Sequence, residues 1–295
     1  MDVNAMFQDP TLSTAWLAAH LEEPDLVVID ASWFMPGTPR DARAEHAERH
    51  IPGAVFFDID EVSDHANPLP HMLASPADFA VHARRLGVEP TSRVVVYDSH
   101  GLFSAPRVWW NFRAMGHENV FVLDGGLPKW IAEGHPVEAG WPQRAHTEFK
   151  AHFNAALVRD LEHVRAALAG DVAQLVDARP AARFTGEAAE SRAGLRSGHM
   201  PGARNVPSAS VVTPEGLLAD ADVLERVFAD AGVDLGRPIV TTCGSGVSAA
   251  ILSLALARLG RLEVPVYDGS WAEWGGLADT PVVTGPAEAL RAPAT

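Results

Sequence analysis

A single thiol occurs in this 295-residue chain, Cys243, within the stretch TTCGSGVSAA from Thr241 to Ala250. It follows a short β-branched strand pattern, Ile239–Thr242, and precedes an apolar helical pattern that starts near Val247. A Gly/Ser loop between a strand and a helix turns its backbone N–H groups inward, and the helix N-terminus adds partial positive charge. That environment stabilises an anion, so a thiolate at the rim of such a loop is favoured and nucleophilic at neutral pH. Gly244 and Gly246 permit backbone conformations that a Cβ would resist.

A lone cysteine more often simply packs in a core. Two neighbouring features weigh against packing here: the Cys-Gly-Ser-Gly loop itself, and a carboxylate, Asp98, at the matching place of an internal repeat described below. Two enzyme chemistries use a loop of this kind. Cysteine phosphatases need an arginine six positions after the cysteine to grip phosphate, and that position is Ala249. The other chemistry is sulfur transfer, in which the thiolate attacks a donor sulfur and the loop holds the resulting persulfide anion.

The elements that would position this loop are written twice. VVVYD (Val94–Asp98), a helix pattern ending at Gly116 and VFVLDGGLPKW (Val120–Trp130) are answered by PIVTTC (Pro238–Cys243), a helix pattern ending at Gly260 and VPVYDGSWAEW (Val264–Trp274). Upstream, LVVIDAS (Leu26–Ser32) answers QLVDAR (Gln174–Arg179), and HIPGA at His50 answers HMPGA at His199. The offsets run from 144 (Val94 to Pro238) to 149 (His50 to His199) in unbroken order, which marks a tandem repeat. Short β-branched strands alternate with helical patterns such as Asp78–Leu86 and Val223–Ala231, so each half is expected to be an α/β domain with a mostly parallel sheet flanked by helices. Ligand sites in such sheets lie in the loops after strand C-termini, where Cys243 stands. The expected division is 1–138 for a first domain without the active cysteine, 139–155 for a linker and 156–295 for a second, catalytic domain.

Composition narrows the partners. The chain is long for one core, and 47% apolar with 21% charged residues suits a packed globule. Its 38 acidic against 23 basic residues repel nucleic acid and acidic membrane surfaces, so neither is expected as a partner. An anionic substrate remains compatible, because local arginines and N–H groups override the global field at short range. The N-terminal MDVNAMFQDPTLST lacks a basic region followed by an apolar core, so a cytoplasmic location is expected. The apolar run Ala249–Ala257 is far shorter than the roughly 20 residues that span a bilayer. One cysteine excludes an internal disulfide, and neither CxxC nor HExxH occurs, so no metal or other cofactor is expected.

Taken with HIPGAVFFDID (His50–Asp60), HML (His71–Leu73), SAPRVWW (Ser104–Trp110), DARPAARFTG (Asp177–Gly186), SGHMPGARNVP (Ser197–Pro207) and YDGSWAEW (Tyr267–Trp274), the loop CGSGVS resembles that of the two-domain rhodanese-type sulfurtransferases, most closely the 3-mercaptopyruvate type. The resemblance spans nearly the whole chain and implies two tandem rhodanese-like domains, of which only the second keeps the cysteine. The family commonly has Thr where this chain has Ser248, and prolines around the acidic residue where it has Ala189, Glu190 and Ser191.

The resemblance implies Cys243 as sulfur carrier and Gly244, Ser245, Gly246, Val247 and Ser248 as the loop that holds the transferred group. It matches Arg183 and Arg192 to the two arginines that hold a donor carboxylate and ketone, a task for planar multidentate donors. Asp60 and His71 match residues proposed to form a proton relay with the loop serine, Ser245. Acceptors implied are a thiol such as thioredoxin or glutathione, or cyanide. Thiosulfate as donor, and a non-catalytic sulfur carrier or partner-binding module, stand as alternatives. The uncharged Gly244 and Ser245 disfavour a compact dianion like thiosulfate. Asp98 cannot form a persulfide, which leaves the first domain catalytically silent. Asp177 and Arg179 are expected to order neighbouring loops, and Trp109, Trp110, Trp130 and Trp274 to build core.

Overall fold

A computed structural model describes residues 9–287, which fall into two compact units. One is the chain up to Ala155 together with the segment Val212–Leu218; the other is Ala156–Val211 with the chain from Ala219 onward.

The first unit runs β1 (Thr11–Leu12), α1 (Thr14–His20), β2 (Leu26–Asp30), α2 (Ala42–Glu48), β3 (Val55–Phe56), α3 (Pro76–Arg85), β4 (Arg93–Tyr97), α4 (Ala105–Ala114), β5 (Val120–Leu123) and α5 (Gly126–Ala132). Its sheet has the order β1-β5-β4-β2-β3, and every strand pair is parallel. The central strands LVVID and RVVVY are buried almost throughout, as expected for β-branched runs covered on both faces. Helix starts follow local chemistry: Ser13, Asp41 and Ser75 each accept a backbone N–H from the first turn, and Pro76 supplies a preset φ at the start of α3.

The second unit repeats the plan with β6 (Val158–Arg159), α6 (Leu161–Gly170), β7 (Gln174–Asp177), α7 (Ala181–Thr185), β8 (Arg204–Asn205), α8 (Ala221–Asp230), β9 (Ile239–Thr242), α9 (Ala249–Arg258), β10 (Val266–Tyr267) and α10 (Ser270–Trp274). The order β6-β10-β9-β7-β8, again all parallel, is that of the first sheet. The apolar run after Cys243 is α9, whose residues Ala249–Ala257 are all buried. It begins two residues later than Val247, because Val247 and Ser248 still belong to the turn that closes the loop. A hydroxyl pair, Thr241 to Ser253 at 2.9 Å, fastens this helix to β9.

Each unit has its own apolar centre. Val28, Val95, Tyr97, Leu123 and Trp130 pack in the first, and Leu175, Val240, Tyr267, Trp271 and Trp274 in the second. Trp109 and Trp110 are buried as well. His50 and His199, from the paired HxPG turns, are buried and bonded through Nδ1 to the carbonyls of His46 and Phe184. Among the described residues no helix is long and apolar enough to cross a membrane.

Candidate functional site

Cys243 leaves the C-terminal end of β9 and is 2% exposed, so the thiol is buried rather than lying at the rim of its loop. Its backbone is fixed from three sides. The Cys243 carbonyl accepts the Trp271 N–H at 2.9 Å, the Gly244 carbonyl accepts that of Ala272 at 2.9 Å, and the Cys243 N–H donates to Ser270 Oγ at 3.3 Å. Ser245 and Val247 are buried, Gly244 and Ser248 half-buried, and Gly246 takes the left-handed φ of +79° that the turn requires. Among the described residues, the backbone N–H groups of Gly244, Ser245, Gly246, Val247 and Ser248 donate to no protein acceptor.

The first unit shows what such a loop binds. Asp98 leaves β4 as Cys243 leaves β9, and its carboxylate is buried in the loop that leads to α4. Oδ1 accepts the N–H groups of His100 (2.9 Å) and Gly101 (3.0 Å), and Oδ2 those of Phe103 (2.7 Å), Ser104 (2.9 Å) and Ala105 (2.9 Å). Five donors converge on one negative group, each bond strengthened by the charge. The loop in the first unit is thus filled by its own carboxylate, whereas the N–H groups of Gly244 to Ser248 beside Cys243 meet no acceptor among the described residues.

The repeat also explains Ser270, which the sequence reading passed over. Leu127 N–H caps the Asp98 carbonyl at 3.0 Å, as Trp271 N–H caps that of Cys243. The residue before the cap has φ +52° in the first unit, where it is Gly126, and a Cβ on Gly126 would run into the Asp98 carbonyl. The same place in the second unit is Ser270 at φ +51°, a conformation unfavourable for a residue with a side chain. Its hydroxyl receives the Cys243 N–H and donates to the Tyr267 carbonyl at 2.8 Å. The signal was present in the sequence as Gly-Gly against Gly-Ser in LDGGL and YDGSW.

Arg183 lies on α7 and is half-buried; among the described residues its guanidinium makes no hydrogen bond or close ion pair with protein. Arg192 is half-buried in the following loop. Arg179 differs from both. It is 2% exposed and grips Asp177 through Nε and Nη2, Glu190 through Nη1 at 2.7 Å and the Gly198 carbonyl at 2.9 Å, while its guanidinium lies 4.2 Å over the Trp271 ring. Glu190 is thus the buried ion-pair partner of Arg179. Burial pushes the Glu190 carboxyl above its usual range, against the pull of Arg179.

In the first unit, His71 is buried with Nδ1 2.8 Å from Asp60 Oδ1, and the indole of Trp33 donates to Asp60 Oδ2 at 2.9 Å. Trp33 also meets the His71 ring edge-on at 4.9 Å and stacks on Phe103 of the Asp98 loop. His71 has φ +60°, rare for a side chain of its size, and the Arg107 guanidinium donates to its carbonyl. Two of the three expected relay residues are thus paired within one unit; Ser245 belongs to the other.

Two parallel α/β units, one with a cysteine at the end of the central strand of its sheet and one with a carboxylate there, define the class. A family model described as the rhodanese-like domain matches residues 13–133 and again 160–277, and the chain belongs to this family. It is similar to 3-mercaptopyruvate sulfurtransferase of Escherichia coli (strain K12), 48% identical over 268 residues that cover 90% of this chain and 95% of the relative. The thiosulfate sulfurtransferase of Rattus norvegicus is 44% identical over 270 residues, covering 89% and 91%. The crystal structure of SseA from Escherichia coli, described as showing the rhodanese fold of 3-mercaptopyruvate sulfotransferases, superposes with a TM-score of 0.83 at 45% identity, covering 90% of this chain and all of that one.

Proposed function

We infer that this protein is a sulfurtransferase that takes sulfur from 3-mercaptopyruvate onto Cys243 and passes it to a thiol such as thioredoxin or glutathione, or to cyanide. Arg183 and Arg192 hold the carboxylate and ketone of the donor. The Cys243 thiolate attacks the donor sulfur, the sulfur–sulfur bond forms, and the C–S bond breaks with its electron pair going to the pyruvate enolate. One proton leaves the donor thiol and one is needed by the enolate carbon. A relay of Asp60, His71 and Ser245 carries that proton, so the donor step is balanced without an outside acid. The persulfide anion rests on the N–H groups from Gly244 to Ser248 until an acceptor removes its outer sulfur.

The observation that carries this reading is the pair of loops: five N–H groups hold a carboxylate beside β4, and among the described residues the N–H groups of Gly244 to Ser248 beside Cys243 have no acceptor. The Arg183 guanidinium, which makes no hydrogen bond or close ion pair among the described residues, supports a carboxylate-bearing donor. We assign the donor step to the second domain (156–295), joined by 139–155 to a first domain (1–138) that contributes Asp60 and His71. A reducing compartment such as the cytoplasm suits an enzyme that works through one free thiol.

Thiosulfate is the second reading, favoured by the similarity to the rat thiosulfate sulfurtransferase. The uncharged Gly244 and Ser245 weigh against it. Turnover with each donor, measured side by side, decides between them, and the absence of turnover with both would leave only a carrier or binding module. Mass spectrometry after donor treatment without acceptor should find one added sulfur, on the peptide containing Cys243. Cys243→Ser should lose that adduct and turnover together; turnover retained in the variant would refute the mechanism.

A further inference from the structure

The segment between the two donor-site arginines is held in an unusual way. Glu187, Ala189, Ser191, Ala193 and Gly194 are exposed, yet the Glu190 side chain among them is only 3% exposed. Between Ala188, whose N–H reaches the Ala182 carbonyl, and Arg196, whose N–H reaches that of Gly275, no backbone–backbone hydrogen bond donated by the segment is present among the described residues. Glu190 enters the interior to meet Arg179, itself locked onto Asp177 at the end of β7, onto the Gly198 carbonyl and against Trp271. Trp271 in turn caps the Cys243 carbonyl.

Burying three charged groups is a poor way to gain stability, since desolvation offsets most of the attraction and apolar residues of similar volume do as well. What the buried pair does supply is position. We propose that Arg179 and Glu190 are positioning residues of the donor site: Glu190 is the pin by which Arg179 holds the loop that follows α7 and bears Arg192, beside α7 with its Arg183, in register with the Cys243 loop. This rests on Arg183 and Arg192 binding the donor. Arg192 lies two residues after the pin, so loss of the pin shifts the segment that carries it relative to Arg183, which stays on α7 seven residues before.

The pin has a direct electrostatic alternative with the opposite sign. If Glu190 acted only through its charge, removing it would tighten the binding of an anionic donor. As a pin, its removal weakens donor binding. The test uses Glu190→Ala and Glu190→Gln in the full chain, the glutamine keeping a carbonyl that can still accept from Arg179. Steady-state kinetics with mercaptopyruvate should give a KM at least about tenfold higher in the alanine variant with kcat changed by less than about threefold, and partial recovery in the glutamine variant. Discharge of the preformed Cys243 persulfide by cyanide should match wild type in both. Hydrogen exchange of the amides of 187–195 should be faster in the alanine variant than in the glutamine variant.

A KM unchanged or lowered by Glu190→Ala overturns the proposal, as does a glutamine variant no better than alanine or a discharge rate that falls as KM rises. If mercaptopyruvate fails to charge the wild type at all, the parent reading falls, and with it the donor-site role. The exchange measurement then still reports whether Glu190 pins the loop, which separates the two failures.

Discussion

Replacing Asp98 by asparagine tests the idea that the first-unit loop is built around a negative group. The carboxylate is fully buried, with two N–H groups on one oxygen and three on the other. An amide of the same shape has one acceptor oxygen and one NH2. In the better of its two orientations the oxygen serves the three donors of Phe103, Ser104 and Ala105, and the NH2 faces the N–H groups of His100 and Gly101. The buried Gly101 N–H and the part-buried His100 N–H then lose their acceptor, at about 1–3 kcal/mol for a buried group and less for the partly exposed one, so the variant should lose about 2–5 kcal/mol. At about 2–4 °C per kcal/mol for a folding unit of this size, Tm should fall by roughly 5–20 °C. The measurements are thermal unfolding followed by circular dichroism, with urea unfolding at an unchanged m-value as a check. Below the transition, persulfide formation on Cys243 should be largely retained, because a carboxylate cannot carry the sulfur. A Tm within about 2 °C of wild type would refute the reasoning about the filled loop; loss of the donor step in folded protein would give Asp98 a chemical role.

Ser270→Gly should be more stable than Ser270→Ala by of order 1 kcal/mol, since glycine accepts φ +51° and alanine does not, while both should slow turnover by losing the hydroxyl on the Cys243 N–H; urea unfolding and initial rates would expose an alanine variant that equals glycine in stability or wild type in rate. Arg183→Ala and Arg192→Ala should each lower kcat/KM for mercaptopyruvate roughly 10- to 100-fold, the loss of one charge-assisted bond. Gly244→Arg with Ser245→Lys should move preference toward thiosulfate; unchanged donor ratios would contradict the assignment of these positions. Burial holds His117 below the usual histidine range, so its neutral form is favoured in the folded chain. The stability this contributes is present above the unfolded value near 6.5 and is lost as pH falls through the lowered folded value. His117→Gln should therefore flatten the decline in urea midpoint between pH 7.5 and 5.5, and an equal decline in both proteins would show that other groups cause it.

The repeat, the strand that delivers Cys243 and the parallel sheets were legible in the sequence because they follow from local pattern: β-branched runs, helix periods, and turn glycines recurring at a fixed offset. The same is true of the contrast between Cys243 and Asp98, which needs only an alignment of the chain with itself. The expected roles of Arg179 and Asp177 as loop-ordering residues also came from adjacency, two residues apart at a strand end, and they do bond to each other. Partners distant in sequence were another matter. Glu190 reads as one acidic residue in an exposed loop, and only the approach of α7, the Gly198 turn and Trp271 makes it the buried partner of Arg179. Likewise the burial of the Cys243 thiol, the five donors on Asp98, the hydroxyl of Ser270 beneath the cysteine and the grouping of Val212–Leu218 with the first unit were decided by the tertiary structure. Residue types and spacing along the chain determine which backbone conformations are favoured. Which donor meets which acceptor, and which charge loses its water, depends on distances that exist only once the sheets have packed.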